Sequence, residues 1–467
     1  MHDPLQRARE LLAAHFGYPD FRPGQSDVVA GILAGRDMLA ILPTGGGKSV
    51  CFQVPALALE GLTVVVSPLI SLMQDQVEAC RRRGIAAAAL TSASTADERA
   101  RSLEQLSRRE LRLLYLSPER LVSRAAALGA LVGRPALLAV DEAHCISEWG
   151  PDFRPEFRQL GRARRALGEP PCAALTGSAT PEVRADIIRV LGLGARDRRG
   201  PVVVLRSFDR QNLHFAVQQV RSECERLERL VALLRSHARL AIVYVGTRSV
   251  AEALTRALRF AGFSTLPYHA RLAGEQRAAI LRRFLAEDVD VVVATCAFGM
   301  GIDAPRVRLV AHWTLPGSPE AYYQEAGRAG RDGEAAHCVL LHRRGDAGMH
   351  RRMLDVTLPP ERLLRRAWAD PAVARRQSDE VRASIARLHA ELVRDGAVNW
   401  EPHRTRRRGI AARIAMMHRF ASGWGCRRRK LLGYFGEPPS TCAGCDWCDR
   451  WPWRSRKPAP HCSRINA

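Results

Sequence analysis

The chain has 467 residues, 46% hydrophobic and 25% charged, and its 71 Lys+Arg against 48 Asp+Glu give a formal net charge of +23. That mixture excludes a disordered chain, implies polyanionic partners, and leaves room for two or three domains with cores of their own. Charges run through the first sixteen residues and no stretch reaches the ~18 apolar residues of a spanning helix, so neither a secretion signal nor a membrane segment is expected. The twelve cysteines are then expected in a reducing compartment, where clustered thiols serve metals more often than disulfides.

Short apolar runs at 38–42, 63–66, 111–116, 136–140 and 173–176 alternate with amphipathic stretches, which predicts a doubly wound parallel sheet with helices between its strands. The pattern restarts at 241–245 and continues through 264–268, 289–294, 309–313 and 338–342. Two α/β domains are therefore expected in tandem, 1–205 and 206–346, joined near 198–207. Beyond Gly345 the sequence turns helix-rich and basic, with 25 Lys+Arg and 11 Asp+Glu in residues 347–467.

The first strand leads into a phosphate site. Residues 39–50 read LAILPTGGGKSV: an apolar strand, a glycine loop, then Lys-Ser before helical sequence. Backbone N–H groups of Thr44, Gly45, Gly46 and Gly47 can converge on phosphate oxygens, Lys48 can reach the β- and γ-phosphates, and Ser49 can ligate Mg²⁺. Of the 71 cations 68 are arginine, a bias that chiefly reports a GC-rich genome, yet Lys48 stands where a compact ammonium is needed. The run 136–140 ends in Asp141-Glu142-Ala143-His144. Asp141 is placed to hold Mg²⁺ through its water shell, and Glu142 to orient and deprotonate an attacking water. Together these segments point to nucleoside triphosphate hydrolysis.

In the second α/β unit, residues 324–333 read QEAGRAGRDG and are expected to put Arg328 and Arg331 three apart on one helical face. One of them could reach across a cleft to the transferring phosphate as an arginine finger. Further on, Cys426, Cys442, Cys445 and Cys448 have the spacing C-x15-C-x2-C-x2-C, which suits a tetrahedral Zn²⁺, with an iron–sulfur cluster as the alternative. Two readings stand for 347–412. One is a winged-helix-like module, with a helix over 384–393 presenting Ile385, Leu388 and Leu392, a cap at Gly396 and a basic wing from 398–400 and 404–408. The other is a helical linker with a solvated basic loop.

These segments resemble the RecQ family of superfamily 2 DNA helicases over about 11–346 and again over 413–450. The loop PTGGGKS departs from GxxxxGK[ST] at Leu42 and is similar to the variant those helicases use. Phe16-Gly17-Tyr18 with Phe21-Arg22-Pro23-Gly24-Gln25 resembles the motif whose Tyr18, Arg22 and Gln25 positions contact the adenine end of ATP. Segments 67–76, 176–180 and 294–303 fall where the DNA-tracking and coupling motifs belong, with Gly177-Ser178 in place of the commoner Ala-Thr. Segment 145–157 resembles the aromatic-rich loop that senses single-stranded DNA. In it and beside it, His144, Trp149, Phe153, Arg154 and Phe157 are expected to stack on bases, contact phosphates and couple DNA to hydrolysis. Residues 426–428 with 431–437 resemble the zinc-binding helix.

The resemblance implies two RecA-like domains followed by a helical zinc-binding region (413–450) and a basic tail (451–467). It implies ATP, Mg²⁺ and Zn²⁺ as cofactors and single-stranded and duplex DNA as partners. It further implies 3′→5′ unwinding in recombination and repair, by a monomer in the bacterial cytoplasm, at the nucleoid, beside single-strand-binding or recombination proteins. Only 19 residues follow Cys448, so a short form without the winged-helix and terminal helical domains of longer members is expected. Two other classes remain: a DEAH-type RNA helicase or remodeller, and a non-catalytic zinc-containing DNA-binding protein. Intact Lys48, Asp141, Glu142, Arg328 and Arg331 speak against the second.

Overall fold

The computed structural model describes residues 3–449 except 44, 93, 148–153, 196–199, 238–239, 300–303 and 395–396. The chain divides into two compact units: one runs to Phe208 and includes Phe435–Glu437, the other holds Asp209–Tyr434 and the chain from Pro438 on.

The first unit is built on seven strands, β1 (Met38–Ile41), β2 (Thr63–Val66), β3 (Ala87–Leu90), β4 (Leu113–Leu116), β5 (Leu137–Val140), β6 (Cys172–Thr176) and β7 (Val202–Leu205). They pair in parallel in the order β3-β4-β2-β5-β6-β1-β7. The inner strands are buried on both faces, so they are apolar throughout rather than alternating. Helices begin where the sequence supplies caps: Ser117 and Thr180 each accept from a first-turn N–H, and each is followed by proline at the first helical position. Two strands escape the sequence reading. β3 is Ala-Ala-Ala-Leu, with little apolar contrast, and β7 lies in the expected join.

A three-residue return segment completes this unit. The Phe435 ring stacks on Phe208 at 4.6 Å and 14°, and Arg184 Nη2 donates to its carbonyl at 2.9 Å. The Glu437 carboxylate accepts from the Phe208 N–H at 2.8 Å and from the Ser207 hydroxyl.

The second unit carries six parallel strands, β8 (Leu213–Val220), β9 (Ala241–Tyr244), β10 (Thr265–Tyr268), β11 (Val291–Ala294), β12 (Leu309–His312) and β13 (Ala336–Arg343), in the order β10-β11-β9-β12-β13-β8. β8, read as LHFAVQQV, alternates buried and half-buried residues and was not expected. Helices follow through Ala347–Thr357, Glu361–Ala369, Pro371–Arg375 and Asp379–Leu392, then a minimal hairpin (Val393–Arg394, Ala397–Val398), then Glu401–Ser422. Two parallel-sheet α/β domains and a helical C-terminal region are thus present, as expected.

The basic wing is not. Arg404, Arg406, Arg407 and Arg408 lie on the 22-residue helix Glu401–Ser422, which Pro402 starts. Three of the four are spent on neighbouring carboxylates: Arg404 on Glu361 at 2.7 Å, Arg406 on Glu391 and Arg407 on Asp355. Gly396 lies outside the described residues. No helix among the described residues is long and apolar enough to cross a membrane.

Candidate nucleotide site and metal centre

The sheet order places β1, β6 and β5 side by side, and their carboxyl ends carry the glycine loop, Thr176 and the acidic pair. Leu42 N–H donates to Thr176 O at 3.0 Å, which ties the loop to β6, and Asp141 N–H donates to Val66 O at 2.8 Å, which ties the acidic pair to β2. In the loop, Gly46 N–H closes a turn onto Pro43 O at 2.8 Å, and Gly45 and Gly47 have φ of +83° and +68°. A Cβ at Gly46 would stand 2.8 Å from the Pro43 oxygen. The loop therefore needs glycine for space as well as for conformation. Thr44 lies outside the described residues.

Arg22 and Gln25 come to this loop. Arg22 Nη1 donates to Gly45 O at 2.7 Å, and buried Gln25 donates to Gly46 O and Gly47 O at 2.9 and 3.0 Å while accepting from Arg22 N–H. Holding Gly46 O and Gly47 O fixes peptides whose N–H groups, those of Gly47 and Lys48, point the opposite way and can take an anion, whereas the Gly46 N–H is spent on Pro43 O. Tyr18 remains exposed.

Lys48 Nζ lies 3.7 Å from Glu142 Oε1, both side chains largely buried. Glu142 adopts a left-handed backbone (φ +48°), which costs a non-glycine residue of order 1–3 kcal/mol and marks it as held by its surroundings. Its other oxygen lies 3.3 Å from His144 Nδ1, which is also 2.9 Å from Thr176 Oγ1. Burial, and next the charge of Glu142, push the Asp141 carboxyl well above the usual carboxylate range, while Lys48 opposes that rise. A cation at this point would restore the charged form.

Sequence reasoning missed a buried polar chain that ends on Ser49. Tyr115 OH and Gln76 Oε1 both accept from Gln53 Nε2, at 3.0 and 2.6 Å, and Gln76 Nε2 donates to Ser49 Oγ at 2.9 Å. The Ser49 oxygen is thereby left with its own proton and a free lone-pair direction, as a metal ligand requires. The signal was a glutamine four residues after Ser49, inside the otherwise apolar helix Val50–Ala58.

Of the aromatic-loop residues, Trp149 and Phe153 lie outside the described residues. Arg154 is half-buried and its N–H returns to Cys145 O at 3.0 Å. Phe157 offers no stacking face. It is fully buried in the turn Pro155–Gln159, against the helices Pro118–Val132, Leu160–Ala166 and Pro181–Leu191. Pro155 turns the chain inward there, and the ring fills the core.

In the second unit, Arg328 and Arg331 do not share a helical face. The helix Pro319–Ala326 stops at Gly327, and both arginines sit in the turn that follows. Glycine dictates this: Gly330 has φ +54°, and a Cβ there would meet Asn212 Nδ2 at 2.5 Å and Glu334 O at 2.6 Å. Arg328 is buried beside Gly299 and Tyr244. The turn is held by two residues not foreseen. The Arg210 guanidinium donates to Gly327 O, Ala329 O and Gly330 O at 3.3, 3.0 and 2.6 Å, and Asn212 Nδ2 donates to Gly330 O and Glu334 O at 2.8 and 2.7 Å.

The four cysteines converge. Their sulfur atoms all lie within 4.8 Å of one another, and Cys426 and Cys445 stand 3.9 Å apart. Four thiolates at about 2.3 Å from one Zn²⁺ are about 3.8 Å from each other, so the set fits that ion. Hydrogen bonds from neighbouring thiols pull Cys426 down, while the Cys426 contact pushes Cys442 up and burial pushes Cys448 up; a cation would resolve that conflict. The centre docks on β8, where Cys445 bridges to Phe215 and Asp446 accepts from Val217 N–H at 3.2 Å. Arg427 binds the same Asp446 at 3.1 Å.

Family models match along the chain: DEAD/DEAH box helicase over 22–187, helicase conserved C-terminal domain over 223–333, and RecQ zinc-binding over 384–449. The chain is 38% identical to an ATP-dependent DNA helicase RecQ of Pasteurella multocida over 95% of its own length, but spans only 62% of that relative. It is 36% identical to a probable ATP-dependent DNA helicase RecS of Bacillus subtilis, covering 93% of this chain and 89% of the relative. Among solved structures, the helicase MrfA bound to DNA shares the fold with a TM-score of 0.62 at 17% identity, over 76% of this chain and 53% of that one. Through its helicase and zinc-binding segments, the chain belongs to the RecQ family of ATP-dependent DNA helicases.

Proposed function

We propose that this chain hydrolyses ATP and uses the energy to track 3′→5′ on one DNA strand and split the duplex ahead, in recombination and repair. The observation that carries the reading is the Lys48–Glu142–His144–Thr176 array at the rim of β1, β5 and β6. Lys48 and the glycine-loop N–H groups take the phosphates, and Ser49 and Asp141 hold Mg²⁺. Glu142 orients the water and receives its proton, and an arginine of the 327–333 turn stabilises charge on the transferring phosphate. His144 links the carboxylate that handles the water to the 176–180 segment, a physical route for coupling hydrolysis to DNA. Zn²⁺ on the four cysteines holds the C-terminal module together. A monomer acting at the nucleoid and the 3′→5′ direction are supported by the family resemblance.

The test is unwinding of 3′-tailed, 5′-tailed and blunt duplexes with Mg-ATP, beside Lys48→Ala. Unwinding of the 3′-tailed substrate is expected, and Lys48→Ala should lower hydrolysis by about 100-fold or more. Activity confined to the 5′-tailed substrate would overturn the polarity, and a Lys48→Ala variant that unwinds like the parent would overturn the mechanism.

A further inference from the structure

Most large apolar side chains of this protein are covered, yet Trp424 is 84% exposed. It stands two residues before Cys426, and its ring meets Trp447 edge-on at 5.7 Å and 68°. Trp447 in turn sits between Cys445 and Cys448 on the short helix Asp446–Asp449. The backbone that presents Trp424 is tied down on both sides. Arg427 donates to Phe420 O and Gly423 O at 2.6 and 2.8 Å, and Lys430 Nζ reaches Arg419 O at 3.4 Å. The backbone that carries the indole is thus held in place, with Trp447 against one edge of the ring. Arg419 and Arg429, five residues before and after Trp424 in the chain, are exposed and have no ion pair among the described residues, in contrast to Arg404, Arg406 and Arg407. Asp446 and Asp449 beside Trp447 are taken by Arg427 and His214.

We propose that Trp424, backed by Trp447, is a stacking platform for an unpaired base of single-stranded DNA, with Arg419 and Arg429 taking the neighbouring phosphates. A flat apolar face with cations beside it matches the alternation of base and phosphate along a single strand, and it reads no sequence because every base offers a π-face. This inference rests on the reading of the chain as a DNA-tracking enzyme and adds a contact site to it. The indole-bearing turn is anchored by Arg427, the residue after Cys426, which ties the platform to the cysteine cluster.

The experiment is fluorescence anisotropy of an end-labelled oligo(dT) with the full zinc-loaded chain, repeated across salt concentrations. Trp424→Ala should weaken binding about 5- to 100-fold, the range of one stacked base, without changing the salt dependence. Trp424→Phe should restore most of the affinity. Arg419→Ala and Arg429→Ala should each lower the slope of log affinity against log salt by about 0.7. Zinc content and melting temperature of Trp424→Ala should equal the parent's, because the side chain is exposed. Parental binding in Trp424→Ala overturns the inference and leaves the ATPase reading intact. Loss of zinc together with failure of Trp424→Phe to rescue also overturns it, in favour of a structural role. Failure of the parent to bind the oligonucleotide overturns both readings.

Discussion

Arg210 is far in sequence from the turn it holds, and replacing it by methionine isolates that job. The guanidinium makes three hydrogen bonds to carbonyls of the 327–330 turn, at 2.6, 3.0 and 3.3 Å. Hydrogen bonds from a charged donor contribute about 1.5–3 kcal/mol each when buried. The side chain is only half-buried, so water replaces part of what is lost, and Asn212 still braces Gly330 O. A net loss of about 2 kcal/mol remains, some 30-fold in the population of the ordered turn. If Arg328 or Arg331 acts on the transferring phosphate, kcat for DNA-stimulated ATP hydrolysis should fall about 10- to 30-fold in Arg210→Met, with the KM for ATP within about threefold. Arg210→Lys, which keeps the charge but not the planar fork, should recover only part of the rate. A kcat within twofold of the parent, at unchanged melting temperature, would refute the positioning argument.

Cys445→Ser should reduce bound zinc from one equivalent to none and open residues 426–449 to limited proteolysis; retention of the metal by this variant would show that the buried thiolate is not a ligand. The third prediction concerns acid stability. Burial first, then the neighbouring His237 and His214, push His337 down to about 3. With the folded value below the ordinary 6.5, the neutral ring stabilises fully above pH 6.5, and that contribution is lost as pH falls toward 3. At pH 5 the loss is about 2 kcal/mol. Urea midpoints at pH 7.5 and 5 should therefore converge in His337→Phe relative to the parent, and an equal pH shift in both proteins would dispose of the idea.

The sequence announces strands that are buried on both faces, because such strands must be apolar throughout, and β1, β2, β5, β6, β9 and β11 are read that way. It is quiet where a strand is alanine-rich (β3), adjoins the join between units (β7) or alternates at an edge (β8). The glycine loop and the Asp141–Glu142 pair are local signatures and are visible for that reason. The supports are not. Arg22 and Gln25 are visible only through the family resemblance, as adenine contacts; their bonds to the loop carbonyls, like those of Arg210 to its turn, leave no mark in a sequence. Phe157 shows the reverse failure, since an aromatic residue beside prolines reads the same whether it faces a base or the core. The arginines of 404–408 were misread because a local charge sum does not see Glu361, Asp355 and Glu391 approaching from other helices.

The return segment Phe435–Glu437 has a consequence for the order in which the protein can be made. Phe208 leaves the ribosome long before its partners, with Glu437 following 229 residues behind the N–H it will accept from. At synthesis rates of about 5–20 residues per second, the nascent first unit waits about 10–50 s with one of its core aromatics uncovered. The Phe208–Phe435 stack and the Glu437 hydrogen bonds form only when the chain, having built the second sheet and the helices after it, comes back. A fragment ending at the boundary near Phe208 would lack the Phe435 ring, and a ribosome stalled before Glu437 would hold a unit without the carboxylate that accepts from the Phe208 N–H.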